Sequence, residues 1–369
     1  MNAKKVLIMA GGTGGHVFPA LAVARFLDKK GVAISWLGTE QGIESRVVPD
    51  EKFIDLHYLS VAGVRGQGLK RLLAAPFTLV LACWQATKTL RAVKPHLVLG
   101  MGGFASGPGG LMAWLMGYPL VVHEQNAVPG FTNRILSKFA QRVLQAFPGT
   151  FSGAAPEKFL VTGNPVRQDI VHLLEPEVRF DERQSQQEIN ILILGGSQGA
   201  LAINELVPQA LSKIVGSSSN CTLPLCIWHQ AGRNKDAATA STYERLTLRA
   251  KVESFISDMG AAYAWADLVI SRSGALTVSE IQQAGVGAVF IPYPSATDDH
   301  QTKNAEFLVK EGAALVAQQR ELDVEKLAET INPLLNREKL KTMALAAKRS
   351  APMKTTETVV NACMEVIRA

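Results

Sequence analysis

Lys5–Gly15 reads KVLIMAGGTGG, and Asn190–Gly199 reads NILILGGSQG. Each is an unbroken apolar run that ends in Gly-Gly-(Ser/Thr)-x-Gly and opens into a helical pattern. Val, Ile and Leu without polar alternation predict a strand buried on both faces, as in parallel sheets covered by helices. The glycines let the turn approach a ligand closely, and the following helix offers unpaired N–H groups. Gly11 and Gly195 are 184 residues apart, half of a 369-residue chain. The copies therefore predict two α/β domains of similar size.

The rest of the chain repeats the pattern. In the first half, apolar runs fall at Val6–Met9, Val32–Leu37, Phe53–Leu59, Leu97–Leu99, Leu120–His123, Val143–Ala146 and Phe159–Val161. In the second they fall at Ile189–Leu194, Leu225–His229, Val252–Ile256, Leu268–Ile270, Ala288–Ile291 and Ala313–Ala317. Helical patterns separate them, which predicts doubly wound parallel sheets. The junction is placed at Gly163-Asn164-Pro165, ahead of the polar stretch Glu175–Gln187. Thr355–Ile367 reads as an amphipathic helix after Pro352.

Composition narrows the class. Apolar residues make up 47% and charged residues 19%, a globular balance that excludes disordered, collagen-like and coiled-coil chains. The net charge of +6 is unevenly spread: residues 1–165 carry +9, the remainder −3, and no acid lies between Asp55 and Glu124. The first half therefore suits an anionic partner such as phosphates, nucleic acid or a membrane surface. The four cysteines (Cys83, Cys221, Cys226, Cys363) are scattered, which argues against disulfides or a zinc site and fits a reducing compartment. The N-terminal apolar stretch ends in a glycine loop after Ala10, so no signal peptide is expected. Leu72–Trp84 is apolar but short and interrupted by Pro76. Leu97–Val122 carries seven glycines and two prolines. Neither is expected to span a bilayer, which takes ~20 consecutive apolar residues.

Five constellations carry chemistry. The first is Gly11–His16. It lacks the dinucleotide fingerprint, because the third glycine would fall at Val17, and no carboxylate ends the next strand at Trp36–Thr39. It is not a Walker loop, because no Lys-Ser/Thr follows. A helix is expected to start near Pro19, leaving His16 at a loop mouth, where a general base would sit. The second is Gly100–Gly110, whose successive N–H groups can form an anion nest; Gly102, Gly103 and Ser106 are its candidate phosphate ligands. The third is Gly195–Gly199, with Ser197 as a hydroxyl donor. The fourth is Ser271–Glu280, where Ser273 is the expected N-cap and Ala275, Leu276 and Thr277 offer amides to a diphosphate. Glu280 lies one to two turns on and could accept from a ribose diol. The fifth is His123–Asn126, matched in the second half by Asp298–Gln301. No Asp-x-Asp occurs and the His and Asp residues lack helical i, i+4 spacing, so no metal is expected.

These residues resemble the MurG family. The resemblance rests on Ala10–His16 (AGGTGGH), His123–Asn126 (HEQN), Gly163–Arg167 (GNPVR), Gly195–Ala200 (GGSQGA) and Ser271–Glu280 (SRSGALTVSE), in order from Lys5 to about Asn304. It implies a GT-B fold, two Rossmann-like domains facing across a cleft. An acceptor-binding, membrane-associating domain would span 1–164 and a UDP-GlcNAc-binding domain 165–351, with helix 352–369 returning to the first. It implies transfer of GlcNAc, with inversion and without metal or cofactor, from UDP-GlcNAc to the C4-OH of N-acetylmuramoyl-pentapeptide on undecaprenyl diphosphate, lipid I. Thr13, Gly14, Gly15, Asn126, Arg167, Ser197, Ile256, Ala275, Leu276, Thr277, Val278, Ser279, Glu280 and Gln301 fall on the family's donor positions, with the Ile256 backbone at the uracil. Gly102, Gly103 and Ser106 would hold the acceptor diphosphate. His16 is the first choice of base and Glu124 the second. Leu72–Trp84, flanked by Arg65, Lys70, Arg71, Lys88 and Arg91, would dock on the cytoplasmic face of the bacterial inner membrane, where anionic lipid and other cell-wall or division proteins are expected partners. Two alternatives remain open. One is a non-hydrolysing UDP-GlcNAc 2-epimerase, which would act on the donor alone. The other is a non-catalytic nucleotide-sugar-binding protein. No basic stripe with interleaved aromatics supports nucleic-acid binding.

Overall fold

The computed structural model describes residues 4–60, 69–151, 156–184, 186, 188–196, 199–216 and 223–368, with side chains omitted at 69–75 and 297. Two compact units divide the chain. One comprises Met1–Arg167 with Pro352–Ala369, the other Gln168–Ala351.

The first unit holds β1 (Lys5–Met9), β2 (Ala33–Thr39), β3 (Ile54–Leu59), β4 (Leu97–Gly100), β5 (Leu120–Glu124), β6 (Arg142–Gln145) and β7 (Phe159–Val161). They form one parallel sheet in the order β3-β2-β1-β4-β5-β6-β7. The second unit holds β8 (Ile189–Leu194), β9 (Leu225–Gln230), β10 (Ala250–Glu253), β11 (Leu268–Ser271), β12 (Gly287–Phe290) and β13 (Ala314–Val316). Their order is β10-β9-β8-β11-β12-β13, again parallel. In each sheet the strand order reverses once, between β1 and β4 and between β8 and β11. The loops that leave those strands are the first four glycine- and serine-rich constellations. A parallel α/β sheet opens its ligand crevice at this switch point, because the two connections depart to opposite faces.

Alternation along β1 feeds two cores. Val6 and Ile8 pack with Val17, Leu21 and Leu27 of helix Gly14–Lys29 and with Val359, Val360 and Cys363 of helix Thr355–Arg368. Leu7 and Met9 turn the other way, onto Ala82, Ala86 and Leu90 of helix Leu69–Val93. The last helix therefore belongs to the first sheet. Full burial of each large side chain stabilises by ~1.5–3 kcal/mol.

Three expectations need correction. Val252–Ile256 is not the strand; the ladder runs over Ala250–Glu253, because the Ile256 N–H turns to the Gln230 side chain at 2.9 Å instead of to β9. Helix Gly14–Lys29 starts five residues before Pro19, so His16 stands in its first turn rather than in a loop. Pro19 is tolerated there because φ stays helical and only one backbone bond, to the Gly15 carbonyl, is forgone. Pro76 likewise does not interrupt helix Leu69–Val93, and it lies on the exposed side. Among the described residues no helix is long and apolar enough to cross a membrane.

Candidate active site

In the first unit, four loops meet beyond the carboxyl ends of the strands. The turn Gly11-Gly12 lies backbone against backbone on Gly103, where a Cβ would collide with the Gly11 carbonyl. Thr13 caps helix Gly14–Lys29 with extended backbone. Its Oγ1 is 3.4 Å from His16 Nδ1. The other edge of the His16 imidazole lies on Gly102: a Cβ there would be 2.6 Å from Cδ2 and 2.9 Å from Nε2. Gly102 also has φ +95°, which L side chains rarely adopt. His16 is half-buried and faces the second glycine loop.

That loop is closed by its own serine. The buried Ser106 hydroxyl lies 2.8 Å from the carbonyls of both Met9 and Gly102, which compete for its one proton, and accepts the Gly102 N–H at 3.1 Å. Ser106 and the Gly102 amide are therefore spent inside the loop, which corrects their expected place as diphosphate donors. Gly103 is half-buried at the loop's edge and keeps that candidacy.

Behind β5 the polar quartet is a frame. His123 is fully buried. Its Nε2 is 3.1 Å from the Gly163 carbonyl and its Nδ1 accepts from Gln125 Nε2 at 3.2 Å, so the neutral ring carries its proton on Nε2. Burial lowers its pKa to about 4. Gln125 Nε2 also donates to Met101 O at 2.9 Å, and Asn164 Nδ2 donates to Gln125 O at 3.1 Å, tying this loop to the second glycine loop and to the Gly163–Arg167 segment. Glu124 accepts from the Asn126 N–H (2.9 Å) and Nδ2 (3.1 Å) through Oε1, and from Gly130 N (3.0 Å) and Asn133 Nδ2 (2.9 Å) through Oε2. Four donors occupy a carboxylate that is 2% exposed. The geometry moves Glu124 from candidate base to the residue that holds Asn126 and the turn after it. Arg167 lies against helix Gly14–Lys29, its guanidinium 5.8 Å from the Phe18 ring centre.

The second unit repeats the plan. Helix Ala275–Ala284 leaves β11 with Gly274, not Ser273, as its N-cap. Ser273 is fully buried, and its hydroxyl has no hydrogen-bond partner among the described residues. Ala275, Leu276 and Thr277 fill the first turn, where N–H groups lack intrahelical acceptors. Val278, Ser279 and Glu280 are buried behind them. Glu280 Oε2 accepts from the Tyr263 hydroxyl at 3.1 Å. Each carboxylate oxygen has two lone pairs, so a second pair of bonds still fits. The Ile256 N–H is taken by Gln230, so only its carbonyl can address a base. Gln301 Oε1 accepts the Tyr293 N–H at 2.9 Å, and Asn304 Nδ2 donates to Ser273 O at 3.2 Å, binding helix His300–Lys310 to the same rim. Arg272 is turned away from the helix start, into the carbonyls of Ile291 (2.8 Å) and Pro292 (3.1 Å). Ser197 lies outside the described residues; beyond it, Gly199 (φ +71°) accepts from Lys235 Nζ at 3.0 Å through its carbonyl.

The residues expected at donor positions are thus split. Thr13, Gly14, Gly15, Asn126 and Arg167 belong to the first unit, and Ile256, Ala275–Glu280 and Gln301 to the second. Glu44, Gln230, Lys235 and Tyr263 were not singled out from the sequence. Among the described residues no three His, Cys, Asp or Glu side chains are grouped to hold a metal.

The two halves match separate domain models. Residues 6–145 match the glycosyltransferase family 28 N-terminal domain, and residues 190–359 the glycosyltransferase family 28 C-terminal domain. The UDP-N-acetylglucosamine–N-acetylmuramyl-(pentapeptide) pyrophosphoryl-undecaprenol N-acetylglucosamine transferase of Chromohalobacter salexigens is 49% identical over 367 residues, covering 100% of this chain and 98% of its own. The crystal structure of Acinetobacter baumannii MurG is 43% identical, with a TM-score of 0.83 over 98% of this chain and 99% of that one. The chain belongs to the MurG family. Family 28 membership makes it a glycosyltransferase. A UDP-GlcNAc 2-epimerase from Neisseria meningitidis superposes with a TM-score of 0.65 over 98% of this chain and 100% of its own, at 15% identity, which shows a common fold and no more.

Proposed function

We propose that this protein transfers N-acetylglucosamine from UDP-GlcNAc to lipid I, the undecaprenyl-diphosphate-linked N-acetylmuramoyl-pentapeptide, in peptidoglycan synthesis. What carries the reading is the pair of switch-point sites on two parallel sheets, in a chain nearly half identical to a transferase of that name throughout its length. The second unit takes the donor. The Ala275–Thr277 amides and the Ser197 hydroxyl meet the diphosphate, Glu280 the ribose, the Ile256 carbonyl the N3–H of uracil, and Gln301 the sugar. Helix N–H groups supply the positive end that a departing diphosphate needs. The first unit takes the acceptor, with Gly103 at its diphosphate.

His16 removes the proton from the acceptor C4-OH as that oxygen attacks the anomeric carbon from the face opposite UDP. The C–O bond to UDP breaks and the configuration inverts. General-base assistance contributes ~10²–10⁴-fold. The polyprenyl acceptor stays in the bilayer, so the enzyme docks peripherally on the cytoplasmic face of the inner membrane. The deciding experiment is transfer of labelled GlcNAc to a lipid I analogue, with and without EDTA. Transfer is expected in both arms, and His16→Ala should lose most of kcat with little change in donor affinity. Conversion of UDP-GlcNAc to UDP-ManNAc without acceptor would favour the epimerase reading instead.

A further inference from the structure

Glu44 is the least expected residue of the first unit. It opens the four-residue helix Glu44–Val47, and its side chain is fully buried. No cation pairs with it among the described residues. Instead Oε1 accepts the Thr39 N–H and the Thr39 hydroxyl, both at 2.8 Å, and Oε2 accepts the Gly12 N–H at 2.9 Å. Three glycines make the space. A Cβ on Gly11 or Gly42 would run into the carboxylate, and one on Gly38 would lie 2.6 Å from Cγ. Burying a carboxylate without a counter-charge costs several kcal/mol unless hydrogen bonds offset it. A hydrophobic side chain would fill the volume more cheaply, but it could not fix the Gly12 amide.

That amide sits at a lever point. Gly12 has φ +89°, and the next residue, Thr13, is the N-cap of the helix whose first turn carries His16. Trp36 Nε1 pins the other side of the turn through the Ala10 carbonyl at 2.9 Å. Between those two bonds the chain has only Gly11, which lies against Gly103. We infer that Glu44 is a positioning residue: by clamping the Gly12 N–H it sets where the helix begins and hence where the His16 ring stands on Gly102. The inference rests on the reading of His16 as the base.

Glu44→Gln isolates the clamp. The amide oxygen can still accept from Thr39, but its NH2 then faces the Gly12 N–H, donor against donor. Misplacement of a catalytic group by ~1 Å can cost ~10²-fold, so kcat should fall by ~10–100-fold. The calorimetric Kd for UDP should move far less than kcat, because the contacts proposed for its uracil, ribose and diphosphate lie in Gln168–Ala351. Thr39→Val removes one donor to the same carboxylate and leaves the Gly12 bond; it should lower the melting temperature yet keep kcat within ~3-fold. In a His16→Ala background, Glu44→Gln should cost less than ~3-fold more, because a residue that acts through His16 has nothing left to position. Should Glu44→Gln not fold, Gly38→Ala, which displaces the Glu44 stem and keeps its charge, is put through the same cycle. An undiminished kcat in Glu44→Gln, an equal loss in Thr39→Val, or a full further loss in the His16→Ala background overturns the positioning role. Normal kcat in His16→Ala alone overturns the base assignment, and the inference with it.

Discussion

Glu280 stands in the second turn of its helix with one oxygen on Tyr263 and its body buried, so its orientation is set before any ligand arrives. A ribose diol would donate two bonds to it, and hydrogen bonds to charged groups are each worth ~1.5–3 kcal/mol. Glu280→Ala should therefore weaken UDP-GlcNAc binding by at least ~10-fold with the fold retained. Tyr263→Phe removes only the orienting bond and should weaken it by roughly fivefold, at ~1 kcal/mol. Calorimetric titration checks both, and unchanged affinity in Glu280→Ala removes the ribose role. Glu280 was legible because it follows a serine- and glycine-rich helix start at a fixed distance. Tyr263, 17 residues upstream, was not: it reaches Glu280 only because the helix before β11 packs beside the helix after it. Glu44 was hidden in the same way, its partners Gly12 and Thr39 being brought together by the pairing of β1 with β2. The Gly38 and Gly42 spacing around it was the one local sign of a large group needing room.

At the scale of strands and helices the sequence carried more. Continuous apolar runs announce doubly covered strands, and twelve of the thirteen expected positions overlap closely with the strands found. The exception failed because Ile256 looks like strand but spends its amide on Gln230. Helix starts were harder, since glycine-rich turns and glycine-rich first turns look alike; Gly14 and Gly15 are the latter. The same strands bury histidines at their ends, with a consequence for acid stability. His123 ends β5 in one unit with a pKa lowered to about 4. His229 lies in β9 of the other, lowered to about 3, its ring between Tyr243 Oη at 2.9 Å and Asn204 Oδ1 at 3.1 Å. Desolvation is the main cause in both. Both stay neutral when folded, while in the unfolded chain they take up a proton near pH 6.5. The unfolded state thus binds more protons, and stability is lost as pH falls below about 6.5. The limiting slope is about 1.4 kcal/mol per pH unit for each histidine. Denaturant unfolding between pH 6.5 and 5, above most carboxylate titration, should give falling midpoints for both units. A flat profile there means that neither histidine enters the core neutral.

Across the whole molecule, charge and apolar exposure coincide in the first unit. The stretch without acids, Leu56 to His123, includes helix Leu69–Val93. Ala82, Ala86 and Leu90 of that helix face the core. Phe77 (79% exposed), Val80, Leu81 and Trp84 (62% exposed) lie at i, i+3, i+4 and i+7 and face out. Trp114 and Leu115, at the end of the neighbouring helix Ser106–Leu115, add to the exposed apolar surface. A core-only role for Leu72–Trp84 would have hidden this stripe; single exposed apolar residues are ordinary, but a contiguous one on a basic background suits a bilayer interface. Lys88 and Arg91 are exposed on the same helix. The side chains of Lys70 and Arg71, and Arg65 altogether, lie outside the described residues. Inserting a large apolar side chain contributes ~1.5–3 kcal/mol, and each nearby cation ~1 kcal/mol on an anionic leaflet. Phe77→Ser with Trp84→Ser should therefore lower liposome binding by at least ~100-fold on any lipid. Lys70→Glu with Arg71→Glu should lower it on anionic vesicles alone. Both pairs should slow transfer to the natural polyprenyl acceptor and spare transfer to a short-chain soluble one, since exchanges at exposed positions such as Phe77 and Trp84 shift stability by only ~0.5 kcal/mol. Vesicle co-sedimentation with the two acceptors run in parallel separates the outcomes: equal loss on both acceptors means that the helix serves catalysis directly, and unchanged vesicle binding means that the membrane meets another face.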